Sequence, residues 1–340
     1  MTLRLALLGV AHVHAHAYAR ALQAREDVEL LGFCEDDPAV ARAFAEHSGL
    51  KAQPLTDLLR SGPQGVVVCS ETARHLPLVH TAALAGAHVL CEKPIAVSEA
   101  DALGMKAACD AAGVQFVTAF PARFSADAQA LKRQLRSGHL GAALSYSGVN
   151  HSVAPDREAP WFSHLPLSGG GAGMDHIVHL ADLLRLLGER PVEVYARFLA
   201  VPEWVLPEAA VTDAAGLVTL RLASGATATI DCSWSRPSGY PRWGQLRLDV
   251  TASRDLVSLD LFASHLKVSG ARYGWSDYGP DLNTLMLADF IRVCQDGGPG
   301  RADWQDGYEA LRVVRAAYAS ASSGQPVRLG SPPTRSNPDL

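Results

Sequence analysis

Residues 3–14 read Leu3-Arg4-Leu5-Ala6-Leu7-Leu8-Gly9-Val10-Ala11-His12-Val13-His14. The stretch Leu3–Val10 is short and apolar, the pattern of a buried strand. It turns at Gly9 and runs into the alanine-rich segment Ala15–Arg25, which reads as a helix. A strand, a glycine turn and a helix at the head of a chain open a doubly wound α/β domain, and such domains bind a dinucleotide at that turn.

The rhythm continues outward from there. Val28–Glu35 is a second strand, and Pro38–Ser48 a helix with proline in its first turn. Asp57–Arg60 belongs to a short helix. Gly65–Ser70, with three successive valines, reads as a buried parallel strand. Helix Arg74–Ala85, strand His88–Cys91, helix Ser98–Ala112 and strand Gln115–Phe120 follow. This alternation implies a parallel sheet with helices on both faces, ending after about six strands. After Arg123 the pattern changes. A helix ending near Gly138 precedes strands at Ala143–His151, Val192–Val201, Ala215–Leu222, Thr227–Ser233, Gln245–Thr251, Leu256–Leu261 and His265–Val268. Turns rather than helices join them, so a largely antiparallel sheet is expected. Helices at Gly173–Leu187, Thr284–Gln295 and Trp304–Ser322 complete the set. The expected division is 1–122, 123–329 with the last helix packing back on the first domain, and a poorly ordered Pro/Ser-rich tail at 330–340.

Bulk properties narrow the partners. At 340 residues, 48% hydrophobic and 19% charged, the chain fits a two-domain globular protein. A formal charge of -5 and the lack of any lysine–arginine block argue against nucleic acid. The N-terminal apolar run is too short to cross a membrane and lacks the pattern of a cleavable signal. Six cysteines are scattered, with no Cys-x-x-Cys, so a reducing cytoplasm is expected.

Three clusters carry chemistry. At the first turn, Gly9 is the only glycine of the G-x-G-x-x-G pattern; Ala11 is small and His14 stands at the last glycine position. A pyrophosphate is placed at Val10–Val13, so Gly9, Ala11, His12 and Val13 are cofactor candidates. Glu35 ends the second strand at the offset of a ribose-binding acid and would repel a 2′-phosphate, which favours NAD over NADP. His12, His14 and His16 invite a rival reading as zinc ligands of a hydrolase barrel. That fold needs eight strand–helix units, so no metal is expected. In the second cluster, Glu92-Lys93-Pro94 follows a buried strand. Proline keeps Lys93 out of helical geometry and fixes an ammonium at a strand end, where ligands bind. In the third, Ser168–Gly173 leads into Met174-Asp175-His176-Ile177-Val178-His179. Glycines allow tight turns and close approach to a ligand. Asp175 and His179, four apart, share a helical face, whereas His176 reads as a packing or capping residue. An imidazole there can take a hydroxyl proton near neutral pH.

With Ala87–Pro94, Arg123-Phe124, Gly169–His179, Asp306-Gly307, Ser320, Gly324 and Val327, the chain resembles the Gfo/Idh/MocA family, the glucose–fructose oxidoreductase and inositol dehydrogenase group. The resemblance implies a Rossmann doubly wound domain followed by an α+β domain with an open, mostly antiparallel sheet. It implies NAD(P)-dependent oxidation or reduction of a sugar or cyclitol hydroxyl. Lys93 matches the lysine that contacts the nicotinamide side and the reacting hydroxyl, and Asp175 and His179 match the residues that hold substrate and take its proton. Glu92 and His75 match positions lining the cofactor cleft. The chain departs from the family at His14 and at Ser70-Glu71-Thr72, where Thr-Pro-Asn is common; Ser70 is a cofactor candidate. Arg123, His151 and Trp161 are candidate substrate-side residues. Two rival readings keep the same cleft: glycoside cleavage through transient redox without net NADH, and a non-catalytic NAD-binding regulator. The resemblance also implies a homodimer or homotetramer, with the alternating strands Ala215–Leu222 and Thr227–Ser233 as interface.

Overall fold

The computed structural model describes residues 2–155, 159–200, 213–237, 239–240, 242, 244–268 and 274–331. Val201 and residues 332–340, to which a strand end and the tail were assigned, lie outside them. The first half runs β1 (Leu3–Leu8), α1 (Ala15–Gln23), β2 (Val28–Cys34), α2 (Pro38–Ser48), α3 (Leu55–Arg60), β3 (Gly65–Val68), α4 (His75–Leu84), β4 (His88–Cys91), α5 (Glu99–Ala112) and β5 (Phe116–Thr118). Local chemistry sets the helix ends. Asp37 caps α2 just before Pro38, Ser98 caps α5, and Gly49 and Gly113 end these helices with positive φ.

The five strands pair in parallel in the order β2-β1-β3-β4-β5. The sheet is thus one strand smaller than expected. A proline-led 3-10 turn at Pro121–Phe124 follows β5 and leads away from it.

The second half runs α6 (Ala126–Ser137), β6 (Ala143–Val153), α7 (Leu165–Ser168), α8 (Ala172–Leu186), β7 (Pro191–Leu199), β8 (Ala215–Leu222), β9 (Thr227–Arg236), β10 (Gly244–Ala252), β11 (Leu256–Asp260), β12 (His265–Val268), β13 (Gly274–Asp277), α9 (Leu282–Asp296), α10 (Trp304–Ser323) and β14 (Val327–Arg328). Seven strands form one sheet in the order β11-β10-β6-β9-β8-β7-β14. All its pairs are antiparallel except β6 with β9. β12 and β13 make a separate ribbon.

Helix α8 lies on one face of this sheet and is buried along nearly its whole length. Gly148 makes room for it, since a Cβ there would sit 2.8 Å from the Leu180 methyls. Val218, Leu220 and Leu222 of β8 and Ala228, Ile230 and Cys232 of β9 are buried with α8 in one core. Each of the valine, leucine and isoleucine side chains contributes about 1.5–3 kcal/mol on burial. Leu217, Thr219 and Arg221 alternate with them and are exposed. The apolar alternation that suggested an interface therefore serves the α8 core, and the other face of the sheet is largely polar.

The chain also returns to its beginning. Met286, Leu287, Phe290, Ile291 and Cys294 of α9 share a core with Leu3, Leu5, Leu7, Tyr18 and Val67. Gly65 permits this, because a Cβ there would meet Cys294 Sγ at 2.5 Å. So α9 covers this face of the parallel sheet, while α10 packs mainly on α8 and β7 and meets the first domain through its opening turns, where Trp304 Nε1 donates to the Ala102 carbonyl at 2.8 Å.

Candidate active site

Lys93 leaves the end of β4 and reaches across to α8, where its Nζ donates to Asp175 Oδ1 at 2.8 Å. Both residues are buried. Trp234 Nε1, from the end of β9, donates to the other carboxylate oxygen at 3.2 Å, and His176 Nε2 lies 3.1 Å from it. Burial pushes the Asp175 carboxyl up, but Lys93 and His176 outweigh burial and hold it well below the usual range. His176 in turn touches Ser152 Oγ at 3.1 Å, and its carbonyl accepts Asn150 Nδ2–H. His176, expected as a packing or capping residue, is fully buried and also supports the Asp175 carboxylate. Adjacent helix positions diverge by about 100°, but Asp175 turns its carboxylate back toward its neighbour. Trp234 gave no signal in sequence, because it arrives from a strand 59 residues away.

His179 sits one turn further along α8, partly exposed, with its ring edge-on to Phe120 at 6.4 Å. Burial, and then the Lys93 ammonium, lower its pKa well below 6.5, while Asp175 pulls the other way and His176 and His14 add to the lowering. The imidazole is neutral at pH 7 and able to accept a proton.

The first turn is held from several sides. Gly9 has φ +71°, and a Cβ there would lie 2.4 Å from Ser70 Cβ. The Val10 amide donates to Glu35 Oε2 at 2.9 Å, and the His12 amide to the Cys69 carbonyl at 2.9 Å. Glu35 Oε1 also accepts the Asp36 and Asp37 amides. Asp36 pairs with Arg74, which also faces Glu71. Trp161 Nε1 donates to the Ala11 carbonyl at 3.0 Å, and Trp161 and Phe162 stack on each other and lie against His12.

Glu92 lies beneath this turn, fully buried. Its Oε1 accepts from Tyr18 and from His14 Nδ1 at 2.8 Å, and its Oε2 from the Lys93 amide. His12 Nε2 is 3.7 Å from Oε2. His12, His14 and Glu92 thus bring three potential metal ligands within 4.8 Å of one another. The hydrogen bonding opposes a cation. His12 Nδ1 accepts the His14 amide at 3.2 Å, so the ring proton lies on Nε2, the atom that faces Glu92. Burial lowers the His12 pKa to about 3, so the ring is neutral. Burial would raise Glu92, but its imidazole neighbours and Lys93 hold it low. With His12 neutral, His14, Tyr18 and the Lys93 amide carry that charge. His16 lies apart, against Phe44 and His47.

Not every expected residue joins the cleft. Arg123 is buried, with Nε on Asp182 and Nη1 on Asp306 and the Arg301 carbonyl; it ties α8 to α10. His151 faces away from α8, because its neighbours Asn150 and Ser152 face toward it; it pairs with Asp231 at 3.0 Å. Trp161 belongs to the first turn rather than the Asp175 side. His75 lies beneath the cleft between the Ile95 carbonyl, 3.0 Å from Nδ1, and the Ser70 carbonyl, 3.2 Å from Nε2. Glu92 likewise underlies the cleft and does not line it.

Fold and site together define a two-domain oxidoreductase with a dinucleotide turn facing a Lys–Asp–His cluster. The model of an oxidoreductase family with an NAD-binding Rossmann fold, GFO/IDH/MocA, matches residues 3–120, and that family's C-terminal domain matches residues 128–257. The chain belongs to the GFO/IDH/MocA family. It is 28% identical over 335 residues to a myo-inositol 2-dehydrogenase of Thermotoga maritima, covering 96% of this chain and 93% of that protein. It is also 28% identical over 360 residues to a D-glucoside 3-dehydrogenase of Escherichia coli, covering 96% and 97%. In fold it matches GenD2 from gentamicin A biosynthesis, solved in complex with NAD, with a TM-score of 0.85, 24% identity and 97% of each chain covered.

Proposed function

We propose that this oxidoreductase transfers a hydride between NAD and a secondary hydroxyl of a sugar, sugar derivative or cyclitol. The observation that carries the reading is the buried Lys93–Asp175 pair, one helical turn from a neutral His179. The cofactor turn fits a dinucleotide. Among the described residues the Ala11 and Val13 amides have no hydrogen-bond partner, unlike those of Val10 and His12, and no side chain can replace Gly9. The carboxylates at the end of β2, Glu35 and Asp36, support NAD over NADP, since a 2′-phosphate would meet them.

Bound NAD+ supplies the hydride acceptor. His179 removes the hydroxyl proton as the C–H bond breaks and the carbonyl forms. Lys93 donates to the same oxygen and stabilises its developing charge. Asp175 has both oxygens occupied by Lys93, Trp234 and His176, so it works chiefly by aiming Lys93. In the reverse direction His179 returns the proton.

The test is a panel of sugars and cyclitols with NAD+ and NADP+, read as NADH absorbance near about 340 nm. A substrate that supports turnover in the parent and is inert with Lys93→Met and with His179→Ala supports the reading. Parent-like rates in both variants would sink it. We also infer a homodimer or homotetramer, supported by the sheet face opposite α8, on which no described helix packs; a single monomeric mass in light scattering would remove that.

A further inference from the structure

Helix α8 carries Asp175 and His179, yet its own N-cap is Gly171, which has no side chain. The first amides of a helix need acceptors. Here they come from two residues far along the chain. The Gly171 amide donates to Asp213 Oδ1 at 3.1 Å and to the Tyr318 hydroxyl oxygen at 3.0 Å. The Ala172 amide donates to the Asp213 carbonyl at 3.2 Å. The Gly173 amide donates to Asp213 Oδ2 at 2.6 Å, and the Met174 amide to the Tyr318 hydroxyl at 3.1 Å. Tyr318 then donates its own proton to Asp213 Oδ1 at 2.8 Å. Four consecutive amides are satisfied, and the residue after them is Asp175.

The glycines make this possible. A Cβ on Gly170 would lie 2.3 Å from the Tyr318 hydroxyl, and one on Gly171 would lie 1.9 Å from the Asp213 carbonyl oxygen. A Cβ on Gly173 would lie 2.7 Å from the Phe198 ring, which packs on Tyr318 at 4.8 Å. The glycine run thus admits a protein clamp where the sequence suggested a ligand. Asp213 is fully buried at the entry to β8, and Tyr318 stands on α10, so the clamp joins two elements to the start of α8.

We propose that Asp213 and Tyr318 are positioning residues that fix Asp175 and His179 in register with Lys93, setting the rate of the reaction without touching substrate. This rests on the hydride-transfer reading for its kinetic consequences only. In Tyr318→Phe the hydroxyl that accepts two amides and donates to Asp213 is lost, and the phenyl ring remains. The kcat is expected to fall about 10- to 100-fold, as for a small misplacement of reacting groups, while KM for NAD+ stays at the parent value. The acid limb of kcat/KM moves to higher pH, because a loosened Lys93 lowers both Asp175 and His179 less.

A turnover-free readout accompanies these: acylation of Lys93 by an amine-directed reagent, followed by mass spectrometry, with amide exchange at residues 171–174 beside it. Faster acylation and faster exchange in Tyr318→Phe and in Asp213→Asn support the clamp. Faster exchange with parent rates of acylation, kcat and pH limb would make the contacts purely structural and overturn the proposal. If the parent oxidises no polyol, the hydride-transfer reading falls, and the acylation rate alone decides the clamp.

Discussion

Lys93, Asp175 and His179 show how far single residues can be read. A lysine fixed at a strand end and an acid–imidazole pair four apart on a helix were both visible in sequence, and the structure brings them together at 2.8 Å. What supports them was not visible. Trp234 and Ser152 join through tertiary approach, which no spacing rule encodes, and His176, next to Asp175 in the chain, was read as a packing or capping residue. His179→Ala is expected to lower kcat about 100- to 10,000-fold, the usual worth of a general base, with NAD+ binding retained in fluorescence titration. Lys93→Met should cost about 100- to 1,000-fold, as for loss of one donor to a developing oxyanion. Its residual activity carries a sign. Lys93 is among the groups that lower the pKa of His179, so removing it raises that pKa. The acid limb of the kcat profile should therefore move to higher pH than in the parent; a limb that stays in place would contradict this reading of the electrostatics.

At the scale of elements, periodicity located nearly every helix and strand, because buried strands and amphipathic helices advertise themselves. It missed the parallel pairing of β6 with β9, which depends on chain routing rather than on any local signal. It also misread the glycine run before α8, where the partner is Asp213. Gly171→Ala is expected to destabilise the fold by about 3 kcal/mol or more, given a Cβ 1.9 Å from a carbonyl oxygen; a urea melt within error of the parent would refute it. Arg123 was read as a candidate substrate-side residue. Its guanidinium instead ties the turn after β5 to α8 and α10 through Asp182 and Asp306. Asp182, fully buried, would lose its partner in Arg123→Ala. The cost is about 3–5 kcal/mol, checked by the shift in Tm.

Across the whole molecule, buried titratable groups predict acid sensitivity. His12 and His75 are buried and His179 is partly so, and desolvation lowers each below 6.5. The unfolded chain then takes up protons that the native state refuses, so stability falls as pH drops below 6.5. Each group contributes up to about 1.4 kcal/mol per pH unit until its folded pKa is reached. For His12 that window extends to about 3. Glu92 and Asp175 are held low, so their stabilisation is present above their unfolded values and lost below them. Asp182 acts oppositely. Burial raises it to about 6, so it costs stability above that value and relieves the cost as pH falls toward 3.8. Between pH 7 and pH 5.5 the two low carboxylates stay ionised in both states, and the three histidines outnumber Asp182. Urea midpoints should drop between pH 7 and pH 5.5, and a flat or rising midpoint would count against this balance.

The return of α9 onto the first sheet bears on how the protein is made. On the ribosome, β1 to β5 emerge early, with one apolar face, Leu3, Leu5, Leu7 and Val67, waiting for Phe290 and its neighbours. That face stays exposed until α9 has been made, a hazard for any nascent chain. A fragment ending at residue 122 should therefore aggregate or bind chaperones, whereas the same fragment fused to residues 280–298 should stay soluble. Equal solubility of the two would show that the opening sheet matures without its late-arriving cover.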